Sequence, residues 1–139
     1  MKKLVLILIV AQLLISCSTD DDPRSDYPKK MDITFQLQAS DVDRNVQIKS
    51  SIIGKDLEII NKSNGNTVLP YKKEYIQQKI PFDTNLVLEY QDYSTVMIGE
   101  SFQPYTITLY IKINNDIVSK KEVEIRESGQ VEFTLFDIE

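Results

Sequence analysis

From Met31 onward, the dominant pattern is alternation of apolar and polar residues with a period of two, a spacing that suits half-buried strands and not amphipathic helices. Ile33, Phe35 and Leu37 alternate with Thr34, Gln36 and Gln38, so one face of that run meets a core and the other meets water. Val46 and Ile48 alternate with Gln47 and Lys49, and the run continues to Ile53. Gly54-Lys55 permits a turn, after which residues 57–61 resume as a strand. Within residues 62–66 the Asn64-Gly65 pair predicts a hairpin turn, because both residue types accept positive φ. A short returning strand is expected at 67–69, stopped by Pro70, which has no N–H for a ladder.

Further strands are expected at residues 73–81 and 86–91. Tyr105, Ile107, Leu109, Ile111 and Ile113 then mark one face of a strand, Asn114-Asn115-Asp116 supplies a turn, and residues 117–126 return, with Val123 and Ile125 set against Glu122 and Glu124. After Ser128-Gly129, the residues Val131, Phe133 and Leu135 mark a closing strand. No dozen residues carry helical spacing. The expectation is an all-β domain over residues 31–139, an immunoglobulin-like antiparallel β-sandwich of seven to eight strands, with a small barrel as the competing way to close the sheet. The immunoglobulin disulfide and core tryptophan are absent, so the likeness is one of architecture.

The first sixteen residues read as an address. Lys2 and Lys3 precede an apolar run from Leu4 to Ile15, broken only by Gln12 and shorter than the ~20 residues that span a bilayer. That run ends in Leu14-Ile15-Ser16-Cys17, which resembles a lipobox: branched apolar residues, a small residue at the cleavage point, then the thiol that receives lipid. The resemblance implies a signal peptide at 1–16, lipidation of Cys17, and a membrane anchor stable enough to hold the mature chain. Residues 17–30 read as a flexible acidic tether. Asp20, Asp21 and Asp22 in it are similar to the surface-export tether of Bacteroidota lipoproteins, which implies an outer-membrane anchor at the cell surface. A periplasm-facing lipoprotein with a merely solvated linker is the alternative.

Composition narrows the chemistry. The net charge is −5, and cleavage before Cys17 removes two lysines to leave −7, which argues against nucleic acid as a partner. The chain has no histidine and one cysteine, Cys17, so Ser-His-Asp and Cys-His arrangements and imidazole or thiolate zinc sites have no residues to build them. Asp41 and Asp43 place two carboxylates in one loop but lack the further oxygen ligands that calcium needs, so no metal and no cofactor is expected. Glu89, Asp92, Glu100, Glu122 and Glu124 show no spacing that selects a glycosidase pair, and are read as outward-facing charges. Tyr90, Tyr93, Phe102 and Tyr105 flank the longest non-strand stretch, residues 92–104. Aromatics there are expected first to close the end of the core, and as the alternative Tyr93, Phe102 and Tyr105 are the candidate partner-binding loop.

The order of segments, with Leu69-Pro70-Tyr71-Lys72-Lys73 and a late hairpin running from Tyr110 to Val118, resembles the extracytoplasmic domain of the MmpS-type transport accessory proteins. The pattern covers about residues 46–136 and leaves 31–39 as an extra strand. It departs from that family at Tyr71, where Trp is frequent, in the late turn, which has no glycine, and in the long 92–104 stretch. The resemblance implies an accessory role beside a membrane transport complex. The expected function is therefore a lipid-anchored, non-enzymatic binding or accessory module of the cell envelope, whose partners are the membrane and an envelope protein complex. The alternative is a structural or adhesive surface lipoprotein that self-associates through a strand edge.

Overall fold

A computed structural model describes residues 22–139, and the chain there forms eight strands. They are β1 (Lys29–Ala39), β2 (Val46–Ile53), β3 (Ile59–Thr67), β4 (Tyr71–Ile80), β5 (Thr84–Asp92), β6 (Tyr105–Ile113), β7 (Asp116–Ile125) and β8 (Val131–Ile138). Two antiparallel four-stranded sheets, ordered β4-β1-β6-β7 and β3-β2-β5-β8, pack face to face as a β-sandwich. The run at 31–39 is no appendage: β1 lies in the middle of its sheet, between β4 and β6.

The alternation seen in the sequence fills the core from the four central strands. Ile33, Phe35 and Leu37 of β1 and Ile107, Leu109 and Ile111 of β6 face Val46, Ile48 and Ile52 of β2 and Leu86, Leu88 and Tyr90 of β5, all buried. Fully burying a side chain of this size contributes roughly 1.5–3 kcal/mol. Ser50 occupies the one inward polar position of β2, where its Oγ lies 3.2 Å from the Tyr71 hydroxyl.

Three expectations are corrected. Asn64-Gly65 makes no turn: both lie inside β3, paired with Lys49 and Ile48, and β3 runs on to Thr67. The reversal between β2 and β3 instead uses residues 54–58, where Asp56 and Leu57 take positive φ and the Gly54 N–H donates to the Glu58 carbonyl at 2.7 Å. No strand returns at 67–69, because residues 68–70 cross to the opposite sheet and β4 starts at Tyr71. In β8 the faces are the reverse of the apolar reading: Val131, Phe133 and Leu135 point outward, and Thr134 and Ile138 are buried. Ordered structure also reaches back into the segment read as tether. Asp22 accepts from the Arg24 N–H to start a turn of 3-10 helix at Pro23–Asp26, Tyr27 packs edge-on against Phe82 at 5.3 Å, and β1 begins at Lys29.

Strand directions give the sandwich two distinct ends. The chain enters β1 at a proximal end, where the β2–β3, β4–β5 and β6–β7 connections also lie. At the distal end all four connections, residues 40–45, 68–70, 93–104 and 126–130, pass from one sheet to the other and arch over the core.

Candidate functional site

The distal arches gather around Asp92. Leu86, Leu88 and Tyr90 face the core, so period two carries Asp92 inward as well, and its side chain is wholly buried at the end of β5. Burial of a carboxyl group is costly unless its oxygens are paired. Here Oδ1 accepts the Ser94 N–H at 2.8 Å, and Oδ2 accepts the Ser94 hydroxyl at 3.1 Å and the Tyr105 hydroxyl. Because the Tyr105 hydroxyl donates its hydrogen bond to Asp92, its oxygen accepts in turn from the Tyr90 hydroxyl. Burial is the main reason the Tyr90 phenol is pushed up to about 12, and burial followed by the hydrogen bond to Asp92 pushes Tyr105 up as well. Both phenols thus stay protonated at neutral pH and serve as donors that hold the start of β6 to the end of β5.

Arg44 ties a second arch to the first. Its Nε donates to Asp41 Oδ2 at 2.7 Å, Nη2 donates to the Gln103 carbonyl at 2.9 Å, and its guanidinium lies 4.5 Å from the Tyr105 ring centre and 5.3 Å from that of Phe102. The Asp43 N–H and then Arg44 hold the Asp41 carboxyl below its ordinary range. Main-chain bonds complete the frame: Tyr93 N–H to the Asn45 carbonyl at 2.7 Å, Asp92 N–H to Gln130 at 3.1 Å, and Gly129 N–H to Asp92 at 3.0 Å. The Ser128 hydroxyl adds a bond to the Ser94 carbonyl at 2.6 Å.

The middle of the 93–104 arch stands clear of this frame. Val96, Met97 and Ile98 form an exposed apolar run, with Met97 71% and Ile98 107% exposed. The Glu100 N–H closes a turn onto the Met97 carbonyl at 3.0 Å, and Gly99 supplies the positive φ of 91°. Val42, Val68 and Tyr93 add exposed apolar surface on the same end, beside an open groove of about 470 Å³ lined by Asp43, Arg44, Asn45, Ser94 and Thr95 among others.

Comparison of the chain with protein-family models, with curated proteins and with solved structures returned no match. Its function is therefore read from its own geometry.

The expected site residues fall in different places. Tyr93 is half exposed on the arch; Phe102 is half-buried beneath Arg44; Tyr105 is buried, so it belongs to the frame and offers no contact surface. Asp22 caps the first turn, while Leu14, Ile15, Ser16, Cys17, Asp20 and Asp21 lie outside the described residues. Glu89 pairs with Lys49 across strands and Glu124 with Arg126 at 2.7 Å, whereas Asp92, expected outside, is inside. Among the described residues no three His, Cys, Asp or Glu side chains come together as metal ligands. The Val96-Met97-Ile98 run was visible in the sequence as three consecutive apolar residues ahead of a glycine, outside any alternation. Arg44 carried no such signal, since its partners come from residues 41, 102, 103 and 105.

Proposed function

We propose that this chain is a lipid-anchored, non-enzymatic binding or accessory module of the cell envelope, which presents its distal arches to a protein of a membrane transport complex. The carrying observation is the exposed Val96-Met97-Ile98 turn, held on a rigid frame at the end opposite the point where the chain enters the fold. Monomeric proteins seldom leave contiguous apolar residues at an apex unless something covers them. The frame fixes both ends of the arch and the bond from Glu100 to Met97 closes its tip, so less backbone freedom is left to lose on binding. A lipid on Cys17, twelve positions before Lys29, would hold the proximal end toward the bilayer and direct the arches away from it. By the same reading Asp20, Asp21 and Asp22 direct the protein to the outer-membrane surface.

Site-specific photo-crosslinking in intact cells tests this reading. A photoreactive residue at Ile98 is expected to give a discrete adduct with a transport-complex subunit, and one at Leu57 on the proximal end is not. Met97→Asp should abolish the Ile98 adduct while leaving thermal unfolding unchanged. Equal adducts at 98 and 57, or none at 98, would refute the proposal.

A further inference from the structure

The two sheets end in four edge strands, β3 and β8 in one and β4 and β7 in the other. An edge strand invites pairing with another chain unless it is guarded by charge, irregularity or a cover. Three of these edges are guarded. The outward positions of β3 include Lys62 and Asn64; β4 carries Lys72 and Glu74 and is broken by a register shift opposite Met31 and Ile33 and by the positive φ of Gln77; β7 carries Lys120, Glu122 and Glu124. Strand β8 differs. Its outward positions are Val131, Phe133 and Leu135, each about half exposed, with Asp137 only at the far end. Lys121 of β7 reaches over the Phe133 ring at 5.5 Å, and Leu135 sits beside Val87 of β5, which extends the apolar stripe. Among the described residues its other side has no ladder partner.

We propose that β8 pairs antiparallel with β8 of a second copy of this chain, about a two-fold axis at Phe133, joining two four-stranded sheets into one of eight. The strand is self-complementary in one register. With Phe133 on the axis, Phe133 meets its own copy, Val131 meets Leu135 of the second copy, and Glu132 meets Thr134, so apolar groups face apolar groups and no acid faces an acid. Moving the axis to Thr134 sets Val131 against Asp137, and moving it to Glu132 sets two glutamates face to face and Leu135 against Gly129. Antiparallel pairing about this axis keeps outward faces outward, so the stripe runs unbroken across both copies. Glu132 brings no unmet charge to the seam. Burial pushes its carboxyl up, but hydrogen bonds from Lys121 at 2.8 Å and Gln130 at 2.8 Å outweigh that and leave it below its ordinary range.

A seam of this size falls in the small, weak class of interfaces, below about 1,200 Å² in total, so it depends on concentration, which confinement to a membrane raises. Antiparallel pairing sets the two Lys29 residues at opposite ends. Residues from Asp22 on are ordered against the domain, and the five positions from Cys17 to Asp22 reach about 17 Å when extended. A pair on one membrane therefore lies with its strands along the bilayer, whereas an unpaired copy stands with its arches away from it.

Disulfide trapping of the full-length chain in mild detergent tests the register, with the unsubstituted chain as the control for Cys17. Phe133→Cys is expected to oxidise to a covalent dimer, because directly opposed residues lie within disulfide range. Val131→Cys or Leu135→Cys alone should not, since like residues then sit four positions apart, about 13 Å; the two variants mixed should crosslink. Phe133→Lys should lose the dimer in sedimentation at every concentration while its melting temperature stays unchanged. Phe133→Cys crosslinking no better than Val131→Cys alone, no product from the mixed pair, or a Phe133→Lys variant that sediments like the parent would each overturn the proposal.

Discussion

At the proximal end, two of the three connections are hairpins set by their own backbone. Asn114 and Asn115 take the positive φ values of a primed turn, and Asn114 adds two bonds to Asp32, one from its N–H to the Asp32 carbonyl and one from the Asp32 N–H to its side-chain oxygen. Asp56 and Leu57 turn the other hairpin in the same left-handed region. At the distal end every connection crosses between sheets, and the local turns within them, at residues 97–100 and 127–130, do not by themselves join one sheet to the other. Three of the four arches are held by bonds between segments distant in sequence: the Tyr105 hydroxyl to Asp92 and the Tyr90 hydroxyl to Tyr105, Arg44 to the Gln103 carbonyl, and the Ser128 hydroxyl to the Ser94 carbonyl. One end is thus specified residue by residue along the chain, the other by a buried polar network that exists only once both sheets have met. The networked end is also the one that carries the exposed apolar turn, so a surface built for contact rests on the part of the molecule that a single substitution damages most.

Four changes would break or sharpen that contrast. Asp92→Ala removes the acceptor shared by Ser94 and Tyr105 and leaves buried donors unmet, so chemical denaturation should report a loss of roughly 3 kcal/mol. Raising the pH attacks the same network. The folded-state value of Tyr90, about 12, lies above that of a free phenol, so its stabilising contribution is complete below pH ~10 and is lost as pH climbs from there through about 12. Tyr105, shifted in the same direction, adds to the loss. The unfolding free energy from denaturation should fall by about 1.4 kcal/mol per pH unit for each such tyrosine, and Tyr90→Phe should flatten the fall; a parent stability level from pH 10 to 12 would contradict the assignment.

Arg44→Ala releases the Asp41 and Gln103 bonds and the stacking over Tyr105 and Phe102. It should cost about 1–2 kcal/mol and speed amide exchange in 93–104 while leaving the β6–β7 turn protected. The smallest effect has the opposite sign and belongs to the proximal end. Leu57 is exposed at φ 63°, where its Cβ is strained, so Leu57→Gly should raise the melting temperature by a stability gain of roughly 0.5 kcal/mol.

Much of this molecule was legible in the alternation alone. The inward faces of β1, β2, β5 and β6, the Asn114-Asn115 turn and the two-layer sandwich all follow from period two and turn chemistry. The site was only half legible. The 92–104 stretch stood out as long and aromatic, but Tyr105 obeys the alternation of β6 and is buried, and the exposed apex is Val96-Met97-Ile98. Asp92 shows how a residue-type rule misleads: a carboxylate is usually outside, yet its parity with Leu86, Leu88 and Tyr90 had already placed it inside.

The sequence by itself determined which residues could line a core, because a strand's two faces are set by covalent geometry and need no partner to define them. Tertiary structure decided which of those options were used. Asn64-Gly65 can turn or run straight, and it runs straight because β2 continues beside it as a ladder from Val46 to Ile53. In β8 both faces carry apolar groups. Pairing with β5 sets Thr134 beside Leu88, Phe136 beside Leu86 and Ile138 beside Thr84, and the Ser119–Thr134 bond of 2.6 Å closes the side of the sandwich. That leaves Val131, Phe133 and Leu135 outside, where no local pattern would have put them, because only the register between strands far apart in the chain can choose between two faces that are each partly apolar.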